Sequence, residues 1–169
     1  MLREELVPKR DINIEKKIKN IIIEIENVLE DETKKEFIES KIEEANELII
    51  SKNRILDLYT IEYYYSWTSL DGLVAELTLN VPDKIKLSLE EMEELLIYIQ
   101  RNIIDTEVID SRNDEELVDF EYGMNFYHEY FEKNYSLELF GELFDENVDI
   151  KLLASKLVEF KGDSNVILL

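Results

Sequence analysis

A catalytic histidine in this chain could only be its single one, His128, which lies in a carboxylate-rich stretch with Asp119, Glu121 and Glu132. A histidine beside carboxylates can act as a general acid or base. A lone histidine among aromatic residues is more often structural, and no serine stands in a Gly-x-Ser-x-Gly turn. We therefore expect no catalytic residue and no enzymatic activity.

Among metal-binding motifs, the calcium-binding EF-hand loop comes nearest to matching a stretch of this sequence. Asp145, Asn147 and Asp149 alternate as at the start of an EF-hand loop. Ile150 stands where that loop requires glycine, and Lys156 stands where it requires a bidentate glutamate. A di-iron bundle would need histidines on two helices, which one histidine cannot supply. We predict no metal site and no cofactor.

Net charge is the most informative feature of the composition. The 169 residues include 19 basic and 40 acidic side chains, a net charge of −21. Residues 105–149 alone hold two basic and 15 acidic residues, and this region is also the richest in aromatic residues. Such a charge repels nucleic acid and anionic membranes and favours a basic protein partner.

Acidic and aromatic residues together predict a binding surface in this region. Carboxylates would pair with lysines and arginines of a partner, and tyrosines would supply apolar anchoring. The alternative is a solvated acidic face over an aromatic core. The predicted carboxylates are Asp110, Asp114, Glu115, Asp119 and Glu121, and the predicted anchors are Tyr122, Tyr127 and Tyr130.

These side chains require a helical scaffold, and the sequence predicts an all-α, single-domain bundle of about seven helices over residues 1–169. Residues 1–11 are expected to be a loose lead-in and residues 163–169 an apolar tail. Isoleucines at steps of three and four predict a helix over about 13–30. Thr33 and Glu36 have the spacing of a capping box for a second helix. The short break between the two predicts an antiparallel helical hairpin.

The middle of the chain carries the only tryptophan, Trp67, after three consecutive tyrosines. Thr68 and Asp71 have the spacing of an N-cap and its partner, and an apolar helix then runs to Pro82. The stretch 51–67 is ambiguous between helix and strand, and helix is favoured because its neighbours are helical. Trp67 is either a core anchor, the commoner role at a helix start, or part of a recognition patch with the tyrosines.

The C-terminal half has clear helix boundaries. Ser88 and Glu91 form a capping box for a helix to about Asn102, and Asp105–Asn113 is a polar loop. A further helix is expected from Asn113, weakened or kinked at Gly123. Later helices are predicted to be capped by Ser136 and Asp149, the last one ending at Gly162.

Location in the cell is constrained by what the sequence lacks. There is no cysteine, and no run of about 18 apolar residues. The N-terminus has no apolar signal region. We expect a cytoplasmic protein that does not span a membrane.

One stretch resembles a known class of proteins. Ser66-Trp67-Thr68-Ser69-Leu70, the helix that follows, Pro82 and the restart at Leu87–Glu91 are similar to helical stretches of bacterial toxin-immunity proteins of contact-dependent inhibition and related polymorphic toxin systems. The resemblance covers about a fifth of the chain. It implies a small cytosolic protein that binds one toxin domain and blocks it, and it assigns no binding residue.

The sequence therefore predicts a non-enzymatic, acidic binding protein of the immunity kind. It would neutralise a cognate basic toxin, such as a nuclease, by occluding its active site. The alternative is a structural or regulatory helical module that forms a homodimer through the hairpin between Ile14 and Ile49.

Overall fold

The chain is all-α in a computed structural model that describes residues 2–51, 53–104 and 113–161. These residues form eight α-helices and no strand, so the all-α prediction is confirmed and the number of helices is eight rather than seven. The helices are α1 (Ile12–Asn27), α2 (Lys35–Leu48), α3 (Leu58–Tyr63), α4 (Leu70–Leu77), α5 (Leu89–Ile99), α6 (Asp114–Asn134), α7 (Leu137–Phe140) and α8 (Ile150–Glu159).

The chain divides into two compact units, each with its own internal contacts. The hairpin unit is Lys9–Asn80, and the C-terminal unit combines Met1–Pro8 with Val81–Leu169. The single domain expected from the sequence stays a prediction.

In the hairpin unit α1 and α2 pack against each other, as the sequence predicted. Asp11 caps α1 by accepting a hydrogen bond from the amide of Ile14 at 3.1 Å. The predicted Thr33 cap is wrong, because Asp31 accepts from both the amide and the hydroxyl of Thr33. This pair starts a 3-10 turn at Glu32–Lys34, and α2 begins after it.

Helix α4 completes the core of the hairpin unit by packing on α1. Leu73, Val74 and Leu77 are buried there, as their helical spacing predicted. The cap is Ser69 rather than the predicted Thr68, since the Ser69 hydroxyl accepts from the amide of Gly72 at 3.0 Å. The isoleucines of α1 and residues from the other three helices share this core: Ile18, Ile21, Ile22, Ile25, Ile38, Ala45, Ile61, Leu73, Val74 and Leu77.

In the C-terminal unit α5 packs on α8, and its N-terminus has the predicted capping box of Ser88 and Glu91. The predicted loose lead-in is corrected, because Leu6 is fully buried and Arg3 pairs with Glu91 at 2.7 Å. The helix continues past α5 as a π-helical turn, Gln100–Ile104. The polar loop expected after it lies almost wholly outside the described residues.

Helix α6 runs through Gly123 without a break, and the predicted weakening there stays a prediction. A side chain at this position would press on Ile103, whose Cδ1 lies 3.0 Å from where the first side-chain carbon would be. Glycine therefore serves close packing here. Ser136 and Asp149 cap α7 and α8 as predicted, while Gly162 and the tail 163–169 lie outside the described residues.

Within residues 2–51, 53–104 and 113–161, no helix combines the length and the apolar character needed to cross a bilayer.

Candidate functional site

Helix α6 positions four of the five predicted carboxylates. Asn113 begins it by accepting from the amide of Glu116 at 2.8 Å while donating to the Glu116 carboxylate at 3.0 Å. Asp114 and Glu115 follow in the first turn, where negative charge complements the helix dipole. The N-terminus of α6 is therefore built to tolerate carboxylates that repel one another.

The predicted carboxylates do not form one patch. Asp114 and Glu121 are two turns apart and share one side of α6, whereas Glu115 and Asp119 are one turn apart on another side. All four are exposed. Asp110 lies outside the described residues. The acidic surface, defined as these four side chains, thus covers two sides of the first half of α6.

Three of the four side chains in the acidic surface have no ion pair within the part of the chain that the structure describes. Among the described residues no lysine or arginine pairs with Asp114, Glu115 or Glu121. The single basic residue of α6, Lys133, lies in its last turn and pairs with Glu129 at 3.2 Å. The first half of the helix consequently presents negative charge to solvent.

The three tyrosines predicted as anchors are in the core, which corrects that part of the predicted site. Tyr122, Tyr127 and Tyr130 are all buried. The Tyr127 hydroxyl donates to the carbonyl of Leu6 at 2.7 Å, and the Tyr130 hydroxyl donates to the carbonyl of Ile85 at 2.9 Å. Burial raises the pKa of both hydroxyls far above the usual tyrosine value. These rings hold the C-terminal unit together and are not available to a partner.

His128 is exposed on α6 and makes a T-shaped contact with the Phe140 ring, with centroids 5.8 Å apart. The alternating acids near the C-terminus have local structural roles. Asp145 accepts from the amide of Asn147 at 2.9 Å, and Asp149 caps α8. In the part of the chain that the structure describes, no three histidine or acidic side chains come together as metal ligands.

An exposed aromatic surface lies in the hairpin unit, on α3 and the 3-10 turn Tyr64–Ser66 that follows it. It comprises Tyr59, Tyr63, Tyr65 and Trp67, which are 66%, 46%, 73% and 54% exposed. The rings of Tyr59 and Tyr63 are in contact, with centroids 4.8 Å apart. The interpretation of Trp67 as a core anchor is therefore wrong.

Local structure explains why these rings point outward. Asp57 caps α3 by accepting from the amide of Thr60 at 2.8 Å. Ile61 and Tyr64 are the residues of this segment that enter the core. The Tyr64 hydroxyl lies 3.3 Å from both carboxylate oxygens of Glu26, and its pKa is raised first by burial and then by that carboxylate. Fixing these two inward side chains leaves the neighbouring aromatic residues on the solvent side.

Sequence reasoning noticed the aromatic residues but not their orientation. Three consecutive tyrosines on a helical turn point in three directions about 100° apart, so they cannot all enter one core. The spacing of four between Tyr59 and Tyr63 was the available signal for a shared outer face. Ile61 decides which face of α3 turns into the core. Its role was hard to see in the sequence, because Tyr59, Ile61, Tyr63 and Tyr65 alternate as in a strand.

Comparisons of the chain with protein-family models, with curated proteins and with solved structures found no match.

Proposed function

We propose that this chain is a non-enzymatic binding protein that recognises a basic protein partner through the acidic surface of α6. The observation that carries the proposal is the exposure of Asp114, Glu115, Asp119 and Glu121 on a helix half that contains no basic residue. Opposed charge accelerates encounter and excludes acidic competitors, even where it adds little to the final affinity.

The energetic cost of such a surface supports a role for it. Carboxylates one turn apart on a helix, such as Glu115 and Asp119, destabilise it by about 0.2–0.5 kcal/mol. A basic partner would relieve this repulsion on binding. Arginine is the best suited donor, because its planar guanidinium forms two parallel hydrogen bonds to a carboxylate.

The same charge complementarity supports a function as a toxin-immunity protein. A toxin that acts on nucleic acid carries lysines and arginines that hold phosphate groups, and an acidic helix can occupy that place. The activity proposed here is occlusion of the active site of such a toxin, without a cofactor and in the cytoplasm. The resemblance of the segment 66–91 to immunity proteins agrees with this proposal.

Charge reversal on α6 tests the proposal. The variant Asp114→Lys/Glu115→Lys/Asp119→Lys should bind the basic partner at least about tenfold more weakly at 0.15 M salt. The matched control is Glu36→Lys/Glu39→Lys/Glu43→Lys on α2, which changes charge equally at exposed positions and also includes the first turn of a helix. Equal affinity of both variants, each shown to be folded by circular dichroism, would reject the acidic surface of α6.

Self-association remains the second candidate, because Ile12, Ile23 and Phe37 are exposed on the hairpin. Ile21 is buried inside the hairpin unit, so a dimer would have to use the outer side chains. Sedimentation velocity of Ile23→Glu/Phe37→Glu tests this. A dimer of the unmodified chain that this variant abolishes would favour the structural module over the binding protein.

A further inference from the structure

The aromatic surface has polar groups with no partner in the described chain. The hydroxyls of Tyr59, Tyr63 and Tyr65 and the indole N–H of Trp67 make no hydrogen bond to any described residue. Tyrosine and tryptophan combine apolar area with a polar end, and they are enriched at the centres of protein interfaces. Four such exposed side chains lie within nine consecutive residues, and two of them, Tyr59 and Tyr63, are in ring contact.

Charge indicates what could cover these rings. Residues 55–80 contain four acidic residues and no lysine or arginine. Asp57 is used as the cap of α3, and Asp71 pairs with Lys19 at 2.7 Å. Glu62 and Glu76 have no ion pair within the described residues. Residues 55–80 therefore combine exposed aromatic rings with two carboxylates that no described lysine or arginine neutralises.

The basic residue that precedes this segment is already engaged. Arg54 donates from Nε to the carbonyl of Glu76 at 2.9 Å, and its Nη1 lies 3.4 Å from the hydroxyl of Ser51. This arginine ties the start of the segment to the end of α4.

We propose that the aromatic surface binds an arginine-bearing segment of a basic protein, with guanidinium groups stacked on the Tyr59–Tyr63 pair and on Trp67 and with Glu62 as counter-charge. A guanidinium is planar and weakly hydrated, so it stacks on aromatic rings better than the ammonium of lysine does. Nucleic acid fits less well, because base-stacking platforms are accompanied by a positively charged groove that residues 55–80 lack.

This inference rests on the proposed function in one respect, the basic nature of the partner, and it concerns a different surface. Trp67 is the only tryptophan, so its fluorescence reports directly on this surface. The probes are two synthetic peptides of equal length, one alternating arginine with glycine and the other alternating lysine with glycine. The full-length chain is titrated with each.

The arginine peptide should change Trp67 fluorescence saturably and bind about tenfold more tightly than the lysine peptide. Tyr59→Ser/Tyr63→Ser should weaken arginine-peptide binding about tenfold, and Glu62→Gln should weaken it severalfold. The control is Phe37→Ser, an exposed aromatic residue of the same unit outside this surface, which should leave binding unchanged. The single variant Tyr59→Ser, at a 66% exposed ring, gives a second test should the double variant fail to fold.

Equal affinities for the two peptides would overturn the inference, as would unchanged binding in the tyrosine variants. A dimer that Tyr59→Ser/Tyr63→Ser abolishes, without arginine-peptide binding, would overturn it in favour of a second copy of the chain. The α6 variant with three lysines separates the two proposals. Its Trp67 response to the arginine peptide should equal that of the unmodified chain, whether or not the acidic surface of α6 binds a partner.

Discussion

The rings of Tyr59 and Tyr63 lie with their centroids 4.8 Å apart on the exposed side of α3, one helical turn from each other. Between them Ile61 points into the core, so the helix separates buried from exposed side chains within six residues. This arrangement gives the hairpin unit an aromatic surface, while the C-terminal unit carries the acidic surface on α6.

A buried ion pair near the start of the hairpin unit should be essential for its stability. Arg10 donates to both carboxylate oxygens of Glu15, at 3.0 Å and 2.6 Å, and the two side chains are only 12% and 8% exposed. Removing one partner leaves the other charge buried without a counter-charge. We expect Arg10→Met to lower the free energy of unfolding by about 3–5 kcal/mol.

The double variant Arg10→Met/Glu15→Leu should recover much of that loss, because no unpaired charge then remains buried. Urea denaturation of the single and double variants measures both values. A free energy of unfolding for Arg10→Met within about 0.5 kcal/mol of that of the unmodified chain would show that the pair is solvated in solution.

The hydroxyl of Tyr127 should stabilise the C-terminal unit at neutral pH. Tyr127→Phe leaves the buried carbonyl of Leu6 without its donor and should cost about 1–3 kcal/mol. Tyr59→Phe changes an exposed ring and is the control, expected to stay within about 0.5 kcal/mol. Urea denaturation at pH 8 gives the comparison.

High pH should reduce the stability that the Tyr127 hydroxyl contributes. Burial raises the pKa of its hydroxyl in the folded chain above the ordinary value of 10.0. Below that value both states keep the proton and the contribution is complete. Above it the unfolded state loses a proton that the folded state retains, so stability falls as pH rises. The stability difference between the unmodified chain and Tyr127→Phe should therefore narrow above about pH 10, and a constant difference would contradict this account.

The effect of alanine at Gly72 should depend on Thr68. The hydroxyl of Thr68 occupies the space that a side-chain carbon at position 72 would need. Gly72→Ala should therefore destabilise the unmodified chain. In a Thr68→Ala background only the Ser69 hydroxyl, 3.2 Å from the new carbon, has to shift. Gly72→Ala should therefore be less destabilising there, because the helix propensity of alanine, about 1 kcal/mol better than that of glycine, opposes the remaining crowding.

Thermal unfolding of the four chains in this cycle measures the coupling between the two positions. Equal effects of Gly72→Ala in both backgrounds would mean that Thr68 moves aside at little cost.

Sequence reasoning located the helices well where local signals were strong. The capping residues Ser88, Asn113, Ser136 and Asp149 were all found, because each hydrogen bond joins residues only three apart in the chain. It chose the wrong capping residue where two adjacent residues both carry a hydroxyl, because Ser69 and not Thr68 caps α4. The choice between adjacent hydroxyls depends on backbone angles that spacing does not specify.

Tertiary contacts explain the remaining differences. Tyr127 and Leu6 are 121 residues apart, so nothing local predicted that this tyrosine is buried or that the first residues are anchored. The exposure of Trp67 likewise depends on how α3 is rotated by Ile61 and Tyr64. The acidic residues of α6 were predictable as exposed, since carboxylates are rarely buried without a partner.

Capture of proteins from the cells that make this chain tests whether the acidic surface of α6 binds a basic protein. Three tagged baits are compared over a salt series: the unmodified chain, the Asp114→Lys/Glu115→Lys/Asp119→Lys variant and the Glu36→Lys/Glu39→Lys/Glu43→Lys control. The account predicts one basic protein that the unmodified chain and the control retain, that moderate salt releases and that the α6 variant does not capture. Retention of the same protein by all three baits, at the same salt, would contradict it.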